Sequence, residues 1–312
     1  MRRIDGHEHT GDALAGGVVA IGNFDGLHRG HQALFGRAMA RAQERRAPSG
    51  VLTFEPHPSK VLAPHLAPPL ILTLDEKLQG LDDAGVDVTV VQPFTRDFAR
   101  LSPDAFVEEV LVSSLKVSGV VVGQDFSFGY KGAGKVKDLR RLLEPRGVSV
   151  DALEPVMEGG LVCSSTKIRE FILEGRVDAA GLLLGRPYWL SGDVRTGDAR
   201  GRKMGIPTAN LETGRELLPK IGVYATRAHL EDGRAFPSVT NIGLRPTFRG
   251  EGVRIEVHLL DFEGDLYDQR VSLTFHARLR DEKRFAGPDE LKAQIERDIR
   301  SAREILDGGH GA

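Results

Sequence analysis

Short valine-rich apolar runs, each followed by polar turn residues, mark the first half of the chain. Val18–Ile21 (VVAI), Val51–Phe54 (VLTF), Asp87–Val91 (DVTVV) and Val117–Gly123 (VSGVVVG) show little alternation, the pattern of strands buried on both faces of a parallel sheet. Helical patterns lie between them. Thr73–Glu76 (TLDE) predicts a capping box, and Ser102-Pro103 predicts a helix start after which Phe106, Val107, Val110 and Leu111 share one face. Strands alternating with helices predict right-handed crossovers and a doubly wound parallel sheet, an α/β fold that binds ligands beyond the carboxyl ends of its strands.

After Gly181–Gly192 (GLLLGRPYWLSG) the period changes. Gly222–Leu230 and Ala235–Gly243 read as two strands joined by a turn that contains Asp232-Gly233. Val253–Phe262 and Arg270–Leu279 flank a further turn segment, Glu263–Gln269. Alternating strands with no helices between them predict a small antiparallel β-barrel or sandwich. A closing helix is expected from about Pro288, with Leu291, Ile295, Ile299 and Ala302 on one face. The boundary is placed near Arg186, giving domains 1–185 and 186–312.

Composition narrows the class. Lysine plus arginine number 42 against 44 acidic residues, a net charge of -2, which supports neither a nucleic-acid nor a membrane partner. No apolar run approaches the roughly 20 residues of a membrane helix, and Arg2-Arg3 is followed by no apolar signal core. The single cysteine, Cys163, cannot form an intrachain disulfide and fits a reducing cytoplasm. A cytoplasmic protein is expected.

Chemistry concentrates at four places. Gly22–Gln32 (GNFDGLHRGHQ) follows the first apolar run; its glycines admit a ligand close to the backbone, and a helix starting near Gly30 aims amide donors at it. His28 and His31, one helical turn apart, suit a polyanion, or else form a metal pair or two capping histidines. Cys163–Glu170 (CSSTKIRE) offers Ser164, Ser165, Thr166, Lys167 and Arg169 at another helix start, either a phosphate site or a plain serine cap. Gly201–Leu211 (GRKMGIPTANL) sets glycines and cations beside the hard oxygens of Thr208 and Asn210, suited to phosphate and magnesium or to an ordinary surface turn. In Arg254–Leu260, period 2 puts Ile255, Val257 and Leu259 on one face and Glu256 with His258 on the other. Glu256 is thus a candidate base or a solvated strand residue; His258 reads as structural. Gly129–Val136 (GYKGAGKV) imitates a Walker loop but has Val136 where the magnesium hydroxyl belongs, and reads as a flexible loop.

The His-x-Gly-His and Ser-Thr-x-x-Arg segments together resemble the Rossmann-like nucleotidyltransferases that adenylylate small substrates. With Leu52–Pro58 (LTFEPHP) and Val122–Gly129 (VGQDFSFG), the resemblance narrows to the FMN-adenylylating module of bacterial bifunctional riboflavin kinase/FAD synthetases. The second half resembles their riboflavin kinase module through Gly201–Leu211, Gly222–Ala225, Asn241–Phe248, Glu256–Phe262, Asp265–Tyr267 and Leu279–Phe285, in order. The resemblance implies that Gly22, Asn23, His28, His31, Asp125, Ser164, Ser165, Thr166 and Arg169 serve ATP in the first half. Pro56, Pro58 and Phe128 would line its flavin pocket; Phe126 is read rather as core. In the second half it implies Gly201 and Lys203 on ATP, Thr208 and Asn210 on magnesium, Arg280 on the flavin side and Glu256 as catalytic base. Lys135 departs from the acidic or amide residue expected there.

The implied activity is riboflavin to FMN and then FMN to FAD, with ATP and Mg2+, by direct in-line transfer. An ionised FMN phosphate needs no general base, whereas a ribityl hydroxyl has a proton to lose, which assigns the carboxylate to the kinase half. Riboflavin, FMN and ATP are the expected partners. One disabled site, or a protein that only stores flavin, are the rival readings.

Overall fold

The computed structural model describes residues 1–195, 206–247 and 250–308. Packing divides the chain into two compact units, Met1–Ser164 and Ser165–Ala312.

The first unit is built on six parallel strands: β1 (Arg2–Asp5), β2 (Val18–Ile21), β3 (Ser49–Glu55), β4 (Val88–Pro93), β5 (Gly119–Gly123) and β8 (Ser149–Leu153), in the order β1-β4-β3-β2-β5-β8. All four residues of β2 are buried, as its unbroken apolar run requires. Helix α1 (Arg29–Arg45) connects β2 to β3, and α2 (Pro58–Leu62) and α3 (Leu74–Asp83) lie between β3 and β4. The chain then returns to the other side of β2 for β5, so β2 is the strand at which the winding reverses. The expected capping box closes on α3, where Thr73 and Glu76 exchange bonds. Ser102 accepts the Ala105 N–H at 3.0 Å and starts α4 (Pro103–Ala105). Beyond it Phe106–Ser114 winds as a π-helix that buries Phe106, Val107, Val110 and Leu111. Strands β1 and β8 carry no strong sequence signal. β1 alternates with only Ile4 buried, and β8 mixes Asp151 into a short run.

Two small hairpins complete this unit: β6 (Ser127–Phe128) with β7 (Gly134–Lys135), leading into α5 (Val136–Leu143), and β9 (Met157–Glu158) with β10 (Leu161–Val162). The Walker-like segment is therefore the loop and the returning strand of a hairpin. A Cβ on Gly134 would lie 2.7 Å from the Phe128 ring, and one on Gly129 2.7 Å from the Pro103 nitrogen. Packing, not phosphate, requires those glycines.

The second unit opens with α6 (Ser165–Glu174) and α7 (Val177–Leu184) and continues as a closed six-stranded antiparallel barrel. Its strands are β11 (Tyr188–Arg195), β12 (Ala209–Glu212), β13 (Gly222–Leu230), β14 (Ala235–Thr247), β15 (Gly250–Leu259) and β16 (Arg270–Arg280), ordered β11-β12-β15-β14-β13-β16. β13 and β14 pair across the Asp232-Gly233 turn as expected. β15 and β16 do not pair with each other: β15 lies between β12 and β14, β16 between β11 and β13, so 261–269 is a crossover. Helix α8 (Pro288–Gly308) covers the wall with Ala302 and Leu306 against Val223, Ala225 and Val239.

Candidate functional sites

In the parallel-sheet unit, the chain leaves β2 through Gly22 and Asn23 into a tight reversal. Phe24 and Leu27 there take left-handed backbone, φ 51° and 48°, and both are buried. The buried Asp25 carboxylate accepts the N–H groups of Ile71 and Leu72, each at 3.0 Å, and ties the loop down ahead of α3. His28 caps α1, its Nδ1 accepting the His31 N–H at 3.3 Å. A ring nitrogen that accepts there carries no proton, so neutral His28 bears its N–H on Nε2. The two imidazoles stack, 3.6 Å between centroids and 21° between planes, and His31 also meets Phe24 edge-on at 5.2 Å. The capping alternative and the anion-site alternative thus describe one arrangement: the cap is what holds the ring. Among the described residues no group of three or more His, Cys, Asp or Glu is placed to hold a metal.

Gly30 accounts for the spacing. A Cβ there would lie 3.0 Å from His28 Cε1 and 3.1 Å from the Cys163 carbonyl oxygen. The segment ending at Cys163 therefore reaches the N-terminus of α1, and Ser164 and the start of α6 follow directly. Within α6, Arg169 is buried and Thr166 exposed, while Lys167 pairs with Glu170 at 2.8 Å. Burial raises the Cys163 thiol, with Glu158 adding and Arg29 opposing, so it is an inert neighbour. Asp125 is exposed just past β5, on the other side of the winding reversal.

In the barrel, Asn210 on β12 stands directly opposite Glu256 on β15, and Glu256 opposite Asn241 on β14. Residues paired this way project to the same face, so one rung carries two amides and a carboxylate. Ile255 and Val257 are buried and Glu256 half-buried, as the period requires. Arg254 holds the Glu256 carboxylate at 3.0 Å. His258 donates Nδ1–H to the Pro207 carbonyl at 2.7 Å, anchoring the backbone beside Thr208. A cleft of about 90 Å³ opens there, with Thr208, Ala209, Phe262, Asp265 and Tyr267 in its wall. Asn210 and Glu256 are not among the described residues that line it. At the other end of the rung a Cβ on Gly243 would lie 2.6 Å from the Glu282 carboxylate and 3.4 Å from the Asn241 amide. Glu282 thus brings the Leu279–Phe285 segment against β14. Gly201 and Lys203 lie outside the described residues.

Comparison with known proteins follows the same division. The FAD synthetase family model matches residues 11–167, and the riboflavin kinase model matches 184–306. A bifunctional riboflavin kinase/FMN adenylyltransferase of Pseudomonas fluorescens is 41% identical over 306 residues, 98% of either chain. The chain belongs to the bifunctional riboflavin kinase/FMN adenylyltransferase family. It is an enzyme of two activities, with the FAD synthetase half first and the flavokinase half second. The Escherichia coli (strain K12) protein of the same description is 40% identical over 307 residues, again 98% of each. A Streptococcus pneumoniae structure described as a macrolide-efflux protein has a TM-score of 0.88 and 31% identity, covering 97% of this chain and 99% of its own. That likeness extends the fold over both halves. Among the described residues no helix is long and apolar enough to cross a membrane.

For the FAD synthetase half, the structure redraws the aromatic candidates. Phe128 is buried in the core against Phe106 at 5.4 Å, whereas Phe126, stacked on it at 5.8 Å, is half-buried. Phe128 points at Gly134, and Phe126 packs against the same core, as expected of it. Sequence reasoning also missed Phe94 and Phe98, which pack with Phe54 at 5.8 and 6.1 Å beyond the ends of β3 and β4. Pro56 is exposed and Pro58 opens α2, whose cap is His57. Lys135 starts α5, its N–H donated to Asp138 at 3.0 Å.

In the flavokinase half, Arg280 is engaged by α8. Its Nε and Nη2 grip the buried Asp298 of α8 at 3.0 and 2.8 Å, and its Nη1 donates to the Asp281 carbonyl at 3.0 Å. This geometry makes Arg280 an anchor of α8. Arg254 and Asn241 were missed as neighbours of Glu256, although the quoted Asn241–Phe248 segment contains one of them.

Proposed function

We propose that the barrel phosphorylates riboflavin with Glu256 as base, and that the parallel-sheet half adenylylates FMN at His28, His31, Ser164, Ser165, Thr166 and Arg169. The pairing of Glu256 with Asn210 on one rung carries this reading, because it sets a proton acceptor beside an oxygen ligand for ATP and its metal. Thr208 and Asn210 offer neutral oxygens, and no group of three or more acidic or imidazole ligands surrounds them among the described residues, which fits an ion that keeps waters and substrate phosphates in its shell. Mg2+ bound with ATP there would neutralise charge on the phosphates.

In the barrel, Arg254 fixes the carboxylate's rotamer, and Glu256 takes the ribityl proton late, as the new bond to the γ-phosphorus forms, the bond to the β-γ bridging oxygen breaks and ADP leaves. In the parallel-sheet half the FMN phosphate attacks the α-phosphorus and pyrophosphate leaves in line, without a covalent enzyme intermediate. His28 Nε2–H, His31, Arg169 and the α1 N-terminus stabilise charge on the phosphoryl oxygens. The half-buried Phe126, with Phe94 and Phe98, offers the flavin ring its apolar faces, and Gly22, Asn23 and Asp125 border the ATP. The functional domains are 1–185 and 186–312, although α6 and α7 pack with the barrel. Small molecules are the only partners proposed, and two ATP-consuming steps fit a cytoplasmic enzyme.

The test is a time course of the purified chain with riboflavin, ATP and magnesium, resolving FMN from FAD by chromatography. FMN rising first and FAD following supports both sites. FMN alone counts against the parallel-sheet site, and bound flavin without product counts against both.

A further inference from the structure

We propose that Arg278, on strand β16 of the kinase barrel, is a positioning residue for FMN adenylylation. The proposal rests on reading Ser165, Thr166 and Arg169 as ATP-phosphate ligands. Those residues sit in the first half of α6, and the barrel grips the other end of that helix. The Ile172 carbonyl accepts the Gly175 N–H at 3.0 Å and also the Lys220 N–H, from the segment before β13, at 3.1 Å.

Gly175 ends the helix with φ 80°, and a Cβ there would lie 2.5 Å from Arg278 Cδ, 2.9 Å from its Nε and 3.1 Å from Tyr224 Oη. On the opposite side a Cβ on Gly222 would lie 2.8 Å from Arg278 Nη2 and 2.9 Å from Nε. The guanidinium therefore fills a slot cut by two glycines. Its Nη2 donates to the Ile221 carbonyl and to Asp281, both at 2.6 Å. Its Nε is buried without a well-aligned acceptor among the described residues, although the guanidinium also interacts with the Tyr224 hydroxyl.

A buried donor without a well-aligned acceptor costs stability, and an apolar chain of similar length would fill the slot without that cost. What the arginine supplies is a cation against the carbonyl end of α6 and a rigid fork that fixes where the end lies. Helix α6 runs Ser165–Glu174, a rod of about 15 Å at 1.5 Å per residue, so a shift at Gly175 is carried to Thr166 and Arg169. Phosphate ligands displaced by about 1 Å lose much of their catalytic value.

The experiment separates the half-reactions in the full chain: riboflavin with ATP, and FMN with ATP. Arg278→Met is expected to raise the ATP KM of adenylylation about tenfold while the FMN KM stays within about twofold. Riboflavin phosphorylation should change far less, and Arg278→Lys should recover most of the loss. A fold defect alone would lower both half-reactions together and spare neither KM. Should Arg278→Met not fold, Gly175→Ala, which drives a methyl into Arg278, is expected to reproduce the ATP KM effect. An unchanged adenylylation KM for ATP in the folded variant overturns the proposal. So do equal losses in both half-reactions. An unsubstituted chain that makes FMN but no FAD overturns the underlying site reading instead.

Discussion

The two halves meet phosphate chemistry with opposite uses of β-structure. In the parallel unit the candidate groups gather beyond a strand end: β2 stops, the backbone reverses, and His28 both caps α1 and stacks on His31. In the barrel they stand on the wall itself, where Asn210, Glu256 and Asn241 share a rung contributed by three strands. The first site depends on close backbone approach, and a single added methyl at Gly30 intrudes on it. The second depends on register, and a slip of one residue would turn Glu256 inward and Val257 out.

The largest expected effect breaks the comparison in two. Glu256→Ala should reduce FMN formation by about 10²–10⁴, the usual worth of a positioned base, and leave FAD formation from supplied FMN intact. His31→Ala should do the reverse. Each half-reaction is followed separately by chromatography, with circular dichroism to confirm the fold. Loss of both activities from either substitution would sink the idea of two independent sites.

The next effect sharpens the contrast in what holds each half together. The barrel's covering helix is pinned by one buried ion pair, Asp298 with Arg280, where Asp298 is 5% exposed and also accepts the Gln294 amide at 2.8 Å. Removing one partner leaves the other charge buried, which costs about 3–5 kcal/mol. Asp298→Ala should lower barrel stability by about 3 kcal/mol in denaturant unfolding. A change under about 1 kcal/mol would show the pair to be a weak surface bridge instead.

A smaller loss, confined to the other half, is expected of Gly30→Ala. The methyl displaces either the His28 ring or the Cys163 carbonyl, and a roughly tenfold fall in FAD formation, about 1.4 kcal/mol, is anticipated with FMN formation unchanged. If FAD formation survives, the close approach at Gly30 is incidental to the site.

The contrast also explains what could be read from the chain. The parallel-sheet site was legible because Gly22–His31 is contiguous: strand, reversal, cap and helix occur within one short segment. The barrel could be read only as alternation. Period 2 put Glu256 and His258 on one face, but the Asn210–Glu256 pairing is long-range and no local pattern encodes it. The surroundings of individual side chains were hidden for the same reason. Phe126 and Phe128 are indistinguishable in sequence, and the glycine that receives Phe128 comes from the returning strand. Arg280 was assigned by its segment to the flavin side, and its partner Asp298 lies on a helix whose apolar face hid the carboxylate. The edge strand β1 was missed because Ile4 alone is buried.

The smallest effect is a difference in acid sensitivity between the halves. On the barrel wall His229 and His276 both approach the Thr274 hydroxyl, at 3.2 and 3.3 Å. Burial, and then the charge of Arg227, hold both imidazoles below the ordinary 6.5, with His229 adding to the effect on His276. Below that value the unfolded chain binds protons that the folded barrel refuses, so barrel stability falls as pH drops through it. In the parallel-sheet half, burial acts to raise Asp151, but the hydrogen bonds and charges of Arg41 and Arg37 outweigh it and hold the carboxyl below 3.8. Its contribution is present above that value and lost only on further acidification. Between these two values the barrel should weaken while the sheet half does not. Trp189, the single tryptophan, lies on β11 and reports the barrel alone. Its fluorescence-detected unfolding midpoint is expected to fall between pH 7.5 and 5.5, by an amount worth about 1 kcal/mol or less, and His276→Gln should flatten that slope. A midpoint independent of pH, or a slope that His276→Gln leaves unchanged, would remove these histidines from the account of how the two halves differ.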